Sequence, residues 1–551
     1  MPISNSLCTM LCRCRNFSSL SKIPSKYRPK AIQEAQKTLT EYFHATRSLP
    51  FIYAEHISKN SLISLSNLIA EVDFSTTDFS RSLRKFLSYN PINEFEFFYE
   101  SIGIDYNQVR GFLPKNKFFI SEDMSILEAA SALAAFGFPW IKLGKLYKED
   151  SSIFSRDSNE LTSMLSAFKG YGFSNTSVIG ICLAFPFVLS GELGGEIDAL
   201  FNDLKRVFLD FDLKSSVEGN VDGWHDICMK IRVFYDLGFE KRKLGDIIGE
   251  SKAIFVEYPA ELLLHKIEYF SRFGVTKVDA ALFLLQRPEI FGFDLETPLI
   301  SVKGLLKHFG FNAEELEDVA RKYPYVMGRN RMENLPHVMK AMDLHSWFFN
   351  KIKDGDHKLL ADYAMEDPDE DFDTKFNDEL EKIRVSRTMR HSMSKVDFVH
   401  RIGFGENAST AKILVHLHGN GNELMERFSC LLRLGVTFSN LCFMLSTKPK
   451  ILNHNPDILE QKVKFLRGEM QSSLQELNTF PGFLCFNLEN RVRPRYRFHM
   501  WLTEKGLSRR KYSIGSIVAT SEKNFVARIY GIHPAAVKHW LECFANRTSD
   551  E

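Results

Sequence analysis

At 551 residues, 44% of them apolar and 25% charged, the chain has the makeup of a folded soluble protein. Its formal net charge of +1 excludes a whole-surface attraction for polyanions, so any contact with nucleic acid must come from where the charges sit. No apolar run is long enough to span a bilayer; even Ile179–Leu189 is short and broken by Pro186.

Residues 1–30 carry Arg13, Arg15, Lys22, Lys26, Arg28 and Lys30, many serines, and no acidic residue before Glu34. That is the composition of an organellar transit peptide rather than of a plain basic tail. Arg15-Asn16-Phe17 ahead of Ser18-Ser19 resembles a mitochondrial processing site; chloroplast import is the alternative, because the two kinds of leader overlap. Residues 31–95 read as a helical cap, with Ile57, Leu62, Leu65 and Leu68 loosely periodic and Asn90-Pro91 as the break.

From residue 96 a module repeats, clearest between Tyr269 and Phe311. Gly274 ends a helix, since a C′ residue needs positive φ. Thr276 and Asp279 form a capping box for the next helix. Val278, Ala281, Leu282 and Leu285 make its apolar stripe, and Pro288 stops it. Glu289-Ile290-Phe291 is a short turn, and Thr297-Pro298 is expected to restart a helix as N-cap and first-turn proline. The fourteen-residue interval from Gly274 to Pro288 recurs in Gly172–Pro186, Gly310–Pro324 and Gly435–Pro449. Gly137, Gly238 and Gly403 open copies that have lost the proline but keep apolar residues such as Ile153-Phe154. Self-similarity at 30-odd residues predicts an all-α helical-repeat solenoid. The expected layout is a leader (1–30), a cap (31–95), a first array (96–345), an acidic insertion (346–395) and a second array (396–545).

The insertion is named for the stretch Asp354–Glu381, where twelve acidic residues face only Lys358 and Lys375. Such a block is expected to stay solvated, with mimicry of a nucleic-acid backbone or docking of a basic protein partner as the functional alternatives. Six cysteines lie outside the leader: Cys182, Cys228, Cys430, Cys442, Cys485 and Cys543. They show no metal-type spacing and read as buried thiols in a reducing compartment.

The second array holds the clearest local motif. Leu434-Gly435-Val436-Thr437, then Pro449-Lys450-Ile451-Leu452, then Asn487-Leu488-Glu489-Asn490-Arg491-Val492-Arg493-Pro494-Arg495, followed by Lys505-Gly506-Leu507, resemble the mitochondrial transcription termination factor (mTERF) family, in particular its plant organellar branch. Asn487 stands where the family usually has serine. The resemblance covers residue 96 to the end. It implies a superhelix of short helices with a concave basic groove, binding double-stranded organellar DNA in transcription termination or regulation, or RNA in intron splicing and maturation.

The residues themselves place positive charge at the C-terminal end: residues 481–551 contain twelve basic and six acidic groups. Arg491, Arg493, Arg495 and Arg497 alternate, and Lys505, Arg509, Arg510 and Lys511 follow, a cluster suited to phosphates. Lys448 and Lys450 at a repeat break are secondary candidates. The competing reading has the alternating arginines salt-bridged to neighbours such as Glu489 and Glu504. No phosphate loop, nucleophile elbow or zinc-protease motif is present, so neither enzyme activity nor a cofactor or metal is expected. His416-Leu417-His418 reads as a repeat junction. The expected partners are double-stranded organellar DNA or RNA and a basic protein for the insertion, with no membrane and a monomeric chain; a non-catalytic scaffold is the remaining alternative.

Overall fold

The repeat shows itself in how its helices end. At Gly103, Gly137, Gly238, Gly310, Gly403, Gly435 and Gly506 the backbone takes positive φ. At each, the glycine N–H donates to the carbonyl three residues back, and the next N–H to the carbonyl five before itself, as in Gly310 to Lys307 (3.0 Å) and Phe311 to Leu306 (3.0 Å). This pair of bonds is the Schellman motif, which satisfies carbonyls that the helix end orphans. The residue after the glycine is apolar, and Ile104, Phe138, Phe404 and Val436 are buried there.

The computed structural model describes residues 20, 23–75, 77–191, 194–210, 213, 217–240, 244, 252–355, 357–358, 360, 373–386, 389–508 and 512–545. Side chains at 209–210, 252–253, 386, 389–391 and 545 are not described. Residues 1–19, 21 and 22 of the expected leader lie outside these residues, as do Arg509, Arg510 and Lys511; its last three residues, 28–30, already belong to the helix Arg28–Glu41. The chain folds as two compact units, residues 1–264 and 265–551. Both are built of short helices, confirming the all-α repeat class. Among the described residues no helix is long and apolar enough to cross a membrane.

In the first unit, the repeat breaks are buried where the apolar runs predict. Ile153 and Phe154 fill a 3₁₀ turn, Ser151–Ser155, and Ile254 and Phe255 lie in the helix Lys252–Glu257. The N-terminal helices of this unit are tied by Glu94, a fully buried carboxylate that accepts from Arg47, Tyr42 Oη (3.2 Å) and Ile120 N (2.9 Å).

In the second unit, Thr276 caps the helix Lys277–Gln286 as expected, accepting from Asp279 N at 3.0 Å, and Pro288–Gly292 is a 3₁₀ turn. The helix restart differs from expectation. Thr297 is not its cap. Leu299–Ser301 is extended and pairs antiparallel with Arg329–Arg331, the strands of this sheet. The cap is Ser301, whose Oγ accepts from Gly304 N at 3.1 Å, four residues beyond the expected position. The pairing explains the shift: the strand buries Ile300 while leaving Leu299 exposed, and Val302 is buried as the first residue of the helix.

Two copies escape a glycine-based reading. Asp343 (φ 60°) makes the same two bonds, N to Lys340 O and Leu344 N to Met339 O, and Gln471 (φ 50°) takes the left-handed turn after the helix Pro456–Arg467. The end of the acidic stretch, expected as solvated, is the helix Thr374–Ser386, with Phe376 and Leu380 buried; its earlier part, 361–372, lies outside the described residues. Asp373 anchors it by accepting from Ala408 N at 3.0 Å. Cys182, Cys228, Cys430 and Cys442 are buried thiols as predicted, whereas Cys485 is half-buried and Cys543 is exposed.

Candidate nucleic-acid interface

Most of the alternating arginines turn inward or onto carboxylates. The motif begins with Asn487, which caps the turn Leu488–Val492 by accepting from Asn490 N at 2.8 Å, the role a serine would have there. Pro494 sits in the first turn of the helix Arg493–Glu504, where its missing N–H costs nothing. This geometry aims Arg491 and Arg495 at the loop before the helix Glu522–Ile532. Arg495 is 2% exposed; it donates to the carbonyls of Val518 (3.2 Å) and Thr520 (2.7 Å) and to Glu522 Oε2 (2.6 Å). Arg491 donates to Val518 O (3.0 Å) and Thr520 O (2.8 Å), with its guanidinium over Phe486. Burial, and then the neighbouring Arg495 charge, lower its proton affinity.

The other two meet carboxylates. Arg493 pairs with Glu489 (3.1 Å) and Glu469 (3.7 Å), and Arg497 with Glu469 (3.1 Å). Glu504, the other neighbour considered from the sequence, forms no ion pair with this group among the described residues. The four arginines therefore tie the terminal helices to the preceding repeat, and Phe498, Leu502, Phe525, Ile529 and Trp540 pack into a core behind them. Three other predicted cations stay in solvent: Lys448, Lys450 and Lys505 are exposed and form no ion pair among the described residues.

A second set of basic residues, not anticipated from the sequence, is built into the repeat itself. Lys230, Lys266, Lys395 and Arg427 each stand eight residues before a left-handed glycine, and Lys462 stands nine before Gln471. Lys266, Lys395, Arg427 and Lys462 reach the carbonyl at the break beyond the next helix, and Lys230 reaches a carbonyl inside the helix Lys252–Glu257. The acceptors are Phe255 (2.7 Å), Phe293 (2.5 Å), Leu417 (2.5 Å), Leu452 (2.9 Å) and Leu484 (2.7 Å). The four lysines are buried. Burial pushes the ammonium groups of Lys266 and Lys462 down to about 8. These clasps satisfy carbonyls that the proline-type break leaves without a helical donor. The sequence signal was a lysine followed by Ile or Val, as in Lys230-Ile231, Lys266-Ile267, Lys395-Val396 and Lys462-Val463.

Apart from those residues, one set of basic side chains in the second unit stands at helix ends. Arg272, Lys340, Arg401 and Arg433 lie in or just beyond the last turns of helices that close in left-handed residues. Cations at a helix C-terminus are favoured by the macrodipole. Arg433 leans toward Glu460 and the Cys430 thiol. Arg272, Lys340 and Arg401 form no ion pair among the described residues. No group of histidine, cysteine or carboxylate side chains able to hold a metal occurs among the described residues.

Glycine-closed short helices recur in both units, and the sequence that builds them matches a known family. The mTERF family model matches residues 216–344 and 408–526, and the chain belongs to that family. Over 538 residues it is 53% identical to Transcription termination factor MTEF18, mitochondrial, of Arabidopsis thaliana, covering 97% of this chain and 96% of that one. It is 20% identical over 401 residues to Transcription termination factor MTERF15, mitochondrial, of the same plant, covering 72% of this chain and 77% of the relative. A shorter likeness, 30% over 109 residues, links it to Transcription termination factor MTERF2, chloroplastic, of Arabidopsis thaliana, covering 20% of this chain and 16% of the relative. The protein is mitochondrial, and its family membership implies nucleic-acid binding.

Proposed function

We propose that this protein is a non-catalytic regulator of mitochondrial transcription, acting in termination or its control. In this reading it binds double-stranded organellar DNA through cations of its second unit. The observation that carries the reading is the set Arg272, Lys340, Arg401, Lys448, Lys450 and Lys505, none of which is spent on a carboxylate among the described residues. Cations with no carboxylate partner are available to displace counterions from a phosphate backbone. The names of the relatives, all transcription termination factors, support the same direction.

The test is a gel-shift series on the full chain at graded salt, with matched duplex DNA, single-stranded RNA and structured RNA probes. Duplex binding whose log affinity falls linearly with log salt is the expected result. Tighter binding to RNA would move the activity to transcript maturation. No binding to any probe at low salt would overturn the reading in favour of a protein scaffold.

A further inference from the structure

Within the second unit, three of the unpaired cations converge. The short helix Leu335–Ala341 carries His337 and Lys340. Two left-handed glycine turns pack against this region. A Cβ on Gly403 would lie 2.5 Å from the His337 carbonyl oxygen, and a Cβ on Gly274 would lie 3.8 Å from Lys340 Cε and 3.2 Å from the His345 ring. Arg401 and Arg272 stand two residues before those glycines. Two arginine-bearing helix ends therefore abut the helix that holds the lysine.

We propose that Arg272, Lys340 and Arg401 form a seat for a single phosphate group, which on the function proposed above is a phosphodiester of the nucleic-acid backbone. Three observations meet here. First, none of the three cations has a carboxylate partner among the described residues, and the nearby Asp343 is mostly exposed and stands 4.0 Å from His345. Second, the Arg272 Nε is buried with no hydrogen-bond partner, and so is His345 Nδ1. Arg272 is steered by Tyr269, whose ring lies 5.1 Å below its guanidinium and whose hydroxyl is fixed on Met332 O at 3.0 Å. Third, all three cations act on His337, and Arg272 acts on Lys340. Burial and then Arg272 lower the Lys340 ammonium, while burial and then Arg272, Lys340 and Arg401 push His337 down to about 4.

Like charges gathered without a counterion oppose folding, and an arriving anion relieves that cost. A tetrahedral phosphate suits the set, since it offers several oxygens to two guanidinium forks and one ammonium. A carboxylate ligand would leave part of this donor set unused.

The experiment compares the full-length wild type with Lys340→Gln/Arg401→Gln, and with Lys303→Gln/Lys353→Gln as a control pair of exposed lysines. Two readouts are taken: duplex DNA affinity at graded salt, and the shift in thermal midpoint caused by inorganic phosphate. The expected result is that the seat variant loses about tenfold or more in affinity and that its salt slope falls by about one, the loss of one phosphate contact. Phosphate should raise the midpoint of the wild type and of the control pair, but not of the seat variant. Lys340→Arg/Arg401→Lys should retain binding, which separates lost charge from lost fold. A folded seat variant that binds DNA with unchanged slope and is protected by phosphate as well as the wild type is would overturn the seat, leaving the broader reading in place. A wild type that phosphate protects at this seat but that binds no nucleic acid would overturn the function and keep the anion site.

Discussion

The two units share their joints and differ in their charge. In both, helices close in the same left-handed turn, and in both a basic side chain clasps a backbone carbonyl further along the chain: the buried Lys230 in the first unit, and the buried Lys266, Lys395 and Lys462 with the half-buried Arg427 in the second. The position two residues before the glycine is different. It holds Ser101, Ala135, Gly170 and Asp236 in the first unit, and Arg272, His308, Arg401 and Arg433 in the second, whose last such turn, at Gly506, has Glu504 there. That position belongs to the last helical turn, where the fold imposes little beyond a preference for positive charge. The comparison teaches that the packing rules are common property, whereas the ligand-facing chemistry is written where the packing leaves freedom.

If the joints are shared, a side chain forced into them should damage either unit. Gly403→Ala and Gly103→Ala each place a Cβ at positive φ and onto backbone, 2.5 Å from His337 O and 2.0 Å from Ile141 O respectively. Each is expected to cost about 2–5 kcal/mol of stability, adding left-handed strain to overlap. Gly310→Ala, with nothing within 4 Å, should cost only about 1–2 kcal/mol. Equal losses at all three in denaturant unfolding would show that close approach at the joint is unimportant.

Arg495→Ala sharpens the contrast between structural and ligand-facing arginines. It strands the Val518 and Thr520 carbonyls and breaks the Glu522 pair, for an expected loss of about 2–4 kcal/mol. DNA affinity per folded molecule should stay at the wild-type level. Weakened binding with unchanged stability would return Arg495 to the interface.

The clasps make a pH prediction. Lys462 titrates at about 8 in the folded chain against 10.5 when unperturbed, so between those values the unfolded state holds a proton that the native state has released. Stability of the wild type relative to Lys462→Met should therefore rise as pH climbs from about 8 to 10.5 and stay flat below 8. Unfolding midpoints of the two proteins across that window check it, and parallel curves would refute the burial of this ammonium. The smallest effect expected is at the hidden repeat, where Asp343→Gly should add about 0.5–1 kcal/mol by relieving a side chain held in the left-handed region.

Much of the fold could be read from residues whose backbone demands are absolute. Glycine at a left-handed helix end, proline at a break and Thr276 before Asp279 each announce one geometry, and the phenylalanines at helical spacing (Phe270, Phe273, Phe283, Phe309) are buried as core. Asp343 and Gln471 hid two copies because non-glycine residues take the same turn at a tolerable cost. The strand Leu299–Ser301 was hidden because its partner lies about thirty residues away, beyond any local pattern.

The site was less legible, for a physical reason. Arginine ties a protein together by the same fork that grips phosphate, so alternation around Pro494 could not separate the two uses. Only the positions of Glu469, Glu489 and Glu522 do so. The cations Arg272, Lys340 and Arg401 were obscure for the opposite reason: they are spread over 130 residues and meet only when the repeats stack.

The lysine clasps also convert the chain into its own reporter. An amine-acylating reagent attacks only an ammonium that has lost its proton and can be reached from solvent. Lys230, Lys266, Lys395 and Lys462 are shut away against carbonyls, so each acquires a label only in the moments when its own brick comes apart. The order in which those four sites are marked would then record the sequence in which the array opens.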